Sequence, residues 1–152
     1  MSLIGTVLRT ITERQAAGKS TADLLSGLEE SAGEITQRLA TAADTPGNRE
    51  VAAHVIGIER WGDRRLRVAL GEPMVSDEYD DYRPSLDTDM AAMAELFAQT
   101  RAETVALAHR AAALPESATA PHNDMGDISV GAWLIYLRDH ADRETKRRLK
   151  GN

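Results

Sequence analysis

The chain has 152 residues, 42% hydrophobic but only 4% aromatic, with a formal net charge of −6 and no cysteine. That length suits one domain with a real core. The missing thiols exclude a disulfide framework, a thiol nucleophile and a thiolate metal site, and the acidic balance argues against nucleic acid, whose readers are normally basic.

Twenty-four alanines give much of the apolar content a small, helix-favouring character. Apolar residues recur at spacings of three and four, the helical period. The front segment sets Ile4, Val7, Leu8 and Ile11 on one face and stops at Gly18, which predicts a short accessory helix over residues 1–17. Ser20 and Asp23 then resemble a capping box, followed by a stripe of Leu24, Leu25, Leu28, Ala32, Ile35 and Leu39. Thr45-Pro46 opens the next segment with a cap and a first-turn proline, and its stripe runs from Val51, Val55 and Ile58 to Leu66.

Residues 73–87 keep no period and read as a long loop, of a length that is uncommon and sometimes functional. From Asp87-Thr88 a third long segment carries Met90, Met93, Phe97, Thr104, Leu107, Ala111 and Leu114 up to Pro115. A second loop, 115–127, leads to a last helix from about Ser129 to Leu149. The expectation is an all-α protein: a four-helix bundle over residues 18–150, with the accessory N-terminal helix. No run approaches the roughly 18 apolar residues of a membrane span, and no signal peptide opens the chain. A cytoplasmic protein with no membrane partner is therefore expected.

In the last helix the stripe reads Val130, Trp133, Leu137, His140, Glu144, so two titratable side chains take positions that the spacing reserves for the core. His54, between Val51 and Val55, shows the same departure in the second long helix. Two imidazoles and a carboxylate facing one interior space suit a divalent metal, with positions left open for water or substrate. Two other readings stay open: a core histidine bonded to a carbonyl, and a surface pair of His140 with Glu144.

The stretch Ala53-His54-Val55-Ile56-Gly57-Ile58-Glu59-Arg60-Trp61 resembles the second helix of the DinB-like superfamily. His122-Asn123-Asp124-Met125-Gly126-Asp127-Ile128-Ser129, followed by Trp133-Leu134 and His140, is similar to that superfamily's entry into its last helix, and the likeness spans roughly residues 20–149. It implies a DinB-like four-helix bundle, often a homodimer, that holds a metal through one histidine of the second helix and two of the last. By position His54 and His140 match two ligands, and Glu144 stands where the third histidine belongs. A carboxylate can replace an imidazole around Zn, Ni, Fe or Mn. The resemblance thus implies a metal-dependent enzyme acting on a small-molecule substrate, a thiol-dependent transferase or a hydrolase. Any reacting low-molecular-weight thiol must come from outside the chain. The alternative is a non-catalytic dimeric bundle with a vestigial site, acting as a small-ligand binder or interaction protein.

Three further features have plainer expectations. Arg101, four residues after Phe97, should form a structural ion pair with Glu59, because a buried charge needs a partner, with a place in the cavity binding an anionic substrate group as the alternative. His122 reads as a solvated loop residue, with a place at the site mouth as the alternative. The basic run Arg143, Lys146, Arg147, Arg148 and Lys150 reads as a solvated face complementing a helix C-terminus.

Overall fold

The computed structural model describes residues 2–151. Among them are five α-helices: α1 Leu3–Ala17, α2 Thr21–Thr41, α3 Pro46–Ala69, α4 Met90–Ala111 and α5 Val130–Arg148. A two-stranded antiparallel hairpin, β1 Thr119–His122 with β2 Gly126–Ser129, precedes α5, and a 3-10 turn, Tyr79–Tyr82, interrupts the loop after α3. The fold is all-α in substance, but the expected four-helix bundle is overturned: five helices build the molecule.

The helix starts follow their capping chemistry. Ser20 and Asp23 form the capping box, Thr45 accepts from Asn48 N–H with Pro46 behind it, and Asp89 accepts from Ala92 N–H. α5 begins where β2 ends, on Ser129, which accepts from Ala132 N–H. Glu13 of α1 grips that same corner, accepting from Ser129 N–H and Oγ–H, both at 2.7 Å.

That clamp is one reason α1 is integral, and a second is the face it buries. Gly5, Thr12 and Ala16 pack inward, towards α5 and the hairpin. Ile4, Val7, Leu8 and Ile11, the stripe expected to seek the core, are 72%, 51%, 45% and 49% exposed. Gly5 lies so close to the hairpin tip that a Cβ there would stand 2.0 Å from the Asp124 carbonyl oxygen. Close approach through small residues selected the face that amphipathicity did not.

Both long loops also depart from expectation. Residues 119–129 are the hairpin, tied to the core where Trp133 Nε1–H donates to the Ala120 carbonyl at 3.1 Å. Residues 73–87 lie down along α3, because Gly57 presents no side chain: a Cβ there would meet the Tyr79 carbonyl at 3.0 Å and Arg83 Cγ at 2.8 Å. The Glu59–Arg101 pair forms as expected, fully buried and bidentate at 2.5 and 3.1 Å, with Ser31 and the Leu28 carbonyl taking Nη1.

Candidate functional site

Three elements converge beside the middle of α3: the 73–87 loop, the hairpin and α5. His54 projects from α3 and His140 from α5, and their Nε2 atoms stand 3.1 Å apart. His54 is half-buried and His140 only 7% exposed. On its outer side, His54 Nδ1 meets Arg83 Nη2 at 3.2 Å. An arginine has only donors, so Nδ1 must accept. A neutral His54 then carries its proton on Nε2 and donates to His140 Nε2. That leaves the His140 proton on Nδ1, an atom that is buried and has no partner. The tautomers follow from the hydrogen-bond network alone.

Electrostatics agree with two neutral rings. Burial, then the Arg83 cation, holds His54 below its ordinary range, although Glu144 pulls the other way. Burial, then His54, pushes His140 down to about 3.

The expected metal centre is corrected here. Among the described residues, no group of three or more His, Cys, Asp or Glu is placed to hold an ion. Glu144, the third expected ligand, is 17% exposed and accepts from Arg148 at 2.9 Å, with Arg143 at 3.6 Å. Burial tends to raise its carboxyl pKa, but the Arg148 hydrogen bond and its positive charge hold it below the usual value. A ligating imidazole also normally donates its outer N–H to a carboxylate or carbonyl. The outer nitrogen of His54 instead receives a guanidinium, which fits a proton-sharing pair and not a chelate.

His122, expected in solvent, is buried. Its Nδ1 accepts from the backbone N–H groups of Asp124 and Met125 at 3.1 and 3.4 Å. The proton therefore sits on Nε2, again buried without a partner. Burial pushes this ring down to about 4, with Arg65 adding to the shift and Asp124 opposing it.

The three histidines belong to a closed loop of six rings. Successive centroids run His54–Tyr79 5.5 Å, Tyr79–Trp61 6.4 Å, Trp61–His122 5.0 Å, His122–Tyr136 4.8 Å, Tyr136–His140 5.7 Å and His140–His54 5.0 Å. These are ordinary separations for edge-to-face and tilted aromatic contacts. Trp133 lies against three members, Trp61, His122 and Tyr136, at 5.3, 5.2 and 5.7 Å. Among the described residues no ring contact crosses the loop from one side to the other. His54, Tyr79 and Tyr136 form its half-exposed rim, and Trp61, His122, His140 and Trp133 its buried part. A chain with six Phe, Trp and Tyr residues thus commits four of them to one place.

The spacing of the last helix pointed to His140, and that of α3 to His54. Tyr79 and His122 lie on segments without a period, so no pattern could place them. Their signal was composition: aromatic residues are scarce elsewhere in the chain. A cleft of about 410 Å³ lies apart from this site, between α1, the end of α4 and the start of α5. Its only charged lining groups are Glu13, Lys19 and Glu116, and Glu13 is already engaged by Ser129. No family model, curated protein or solved structure matches the chain.

Proposed function

We propose that this is a small-ligand-binding protein whose ligand docks on the loop of rings around His54 and His140. The observation that carries the proposal is the concentration of unpaired donors there. Of five buried side-chain polar atoms without a hydrogen-bond partner among the described residues, four lie on this group: Trp61 Nε1, Arg65 Nε, His122 Nε2 and His140 Nδ1. Buried donors are nearly always paired, and the exceptions call for a reason. Pre-formed apolar walls with a few polar groups are how small-molecule sites are built.

Both tryptophans of the chain belong to the site, so its occupancy should be visible in intrinsic fluorescence. Small aromatic or conjugated molecules should shift the emission saturably and raise Tm, and Tyr136→Ala should abolish both effects. Emission that ignores such molecules in the wild-type chain would overturn the proposal.

The protein is further proposed to be a cytoplasmic homodimer. No helix of the described residues is long and apolar enough to cross a membrane, and the chain has no cysteine. The face offered to a second copy is the α1 stripe, where five of the eight exposed large apolar side chains among the described residues sit on one helix. An antiparallel twofold about Val7 and Leu8 would set Ile4 opposite Ile11, matching the stripe to itself. Sedimentation should give a dimer that Leu8→Glu converts to monomer; a wild-type monomer would contradict it.

A further inference from the structure

We infer that the ligand is a small planar carboxylate, recognised as a hydrogen-bond acceptor, and not a cation. This rests on the ring loop being a binding site. Aromatic rings alone do not decide the sign, because their faces also attract cations. Here the unpaired donors around the loop decide it.

Three carboxylates beside the rings are each held by an arginine. Asp77 pairs with Arg65 at 2.5 Å, Asp80 with Arg83 at 2.6 Å and Glu144 with Arg148 at 2.9 Å. Among the described residues only Asp124, near His122 and Tyr136, stands beside the rings without an arginine partner. The guanidiniums also occupy the ring faces that a cation would use. The Arg65 carbon sits 4.9 Å from the Trp61 centroid, and that of Arg83 5.7 Å from Tyr79.

What remains unpaired is all of one kind. Trp61 Nε1, Arg65 Nε, His122 Nε2 and His140 Nδ1 are N–H donors. Trp61 and Arg65 have these protons by their chemistry, and the Asp77 carboxylate already stands beside Trp61 Nε1; the two histidines have them through the acceptor roles of their other nitrogens. The fifth unpaired atom, Asp63 Oδ1, is an oxygen on the α4-facing side of α3, near Thr104. A surplus of donors between aromatic walls calls for a flat ligand that brings acceptors. A carboxylate brings two oxygens, and charge-assisted hydrogen bonds are the stronger kind.

The test uses two probes of one shape: benzoate and phenyltrimethylammonium, with benzyl alcohol as the neutral control. Each is titrated into the full chain at pH 7 and followed by tryptophan fluorescence. Benzoate should bind saturably, and at least about tenfold more tightly than the cation. Trp61→Phe keeps an aromatic wall but removes one N–H, and should weaken benzoate about tenfold, the loss expected for one hydrogen bond to a charged group. His140→Phe, checked for folding by circular dichroism, should do the same. If phenyltrimethylammonium binds as tightly as benzoate, the acceptor class is wrong and the binding site stands. If none of the three binds at millimolar concentration, the binding site itself is wrong. Unchanged benzoate affinity in both variants would also overturn the donor assignment.

Discussion

His140 and His122 are buried neutral, with pKa values of about 3 and about 4 in the fold, against about 6.5 in an unfolded chain. Below pH 6.5 the unfolded chain takes up protons that the fold refuses. Stability is therefore intact above that pH and drains as pH falls towards the folded values. At pH 5 each ring should cost about 2 kcal/mol. Thermal unfolding of an Asp63→Asn chain, free of that carboxyl's opposite titration, should show Tm dropping between pH 7 and 5, and adding His122→Gln with His140→Gln should flatten the drop. Asp63 behaves in the opposite sense. Burial, then Glu59, raises it to about 8 from the ordinary 3.8, while Thr104 opposes. The fold then holds a proton that the unfolded chain has released, and stability falls as pH rises from about 4 through 8. Asp63→Asn should raise Tm at pH 9 and change it little at pH 4. The inward direction of His54 and His140 was legible because each broke an apolar stripe. The fate of Glu144 was not, since the choice between a shared centre and its neighbours was settled by Arg148 one turn on, a competition that spacing does not encode.

α1 teaches the limit of amphipathicity as a guide to packing. Its large side chains face out because its small ones permit backbone contact with the hairpin, and because Glu13 anchors the Ser129 corner. Gly5→Ala should therefore cost about 1–3 kcal/mol, a larger loss than a surface change, since the new methyl meets backbone and not a movable side chain. Glu13→Ala should lose about 1–3 kcal/mol by leaving Ser129 N–H without its acceptor. Urea unfolding of both variants checks this; unfolding midpoints equal to the wild type would show that α1 is peripheral after all. The four longer helices were legible from their period, and two of their caps, Ser20 and Thr45, from the sequence; α4 starts on Asp89 and not at Asp87-Thr88. The hairpin was not, because four-residue strands containing Pro121 and Gly126 leave too short a pattern to distinguish from loop.

At the scale of the molecule, five helices are organised around one buried ion pair and one aromatic centre. Removing one partner of Glu59–Arg101 should cost about 3–5 kcal/mol, because the other charge is left buried and unpaired. Glu59→Gln and Arg101→Met should each lower the unfolding free energy from urea titration by that amount, and the double change by much less than the sum. The aromatic centre is assembled from α3, the loop, the hairpin and α5, elements distant in sequence, so only its two helical histidines were visible before folding. Whether that centre works as a neutral, proton-sharing pair or as a chelating pair turns on where two protons sit. Long-range proton–nitrogen NMR on chain labelled with ¹⁵N-histidine reads this directly at pH 7. We predict His54 with its proton on Nε2 and His140 with its proton on Nδ1. Both rings protonated on Nδ1, with two bare Nε2 atoms turned to one point, would contradict the account.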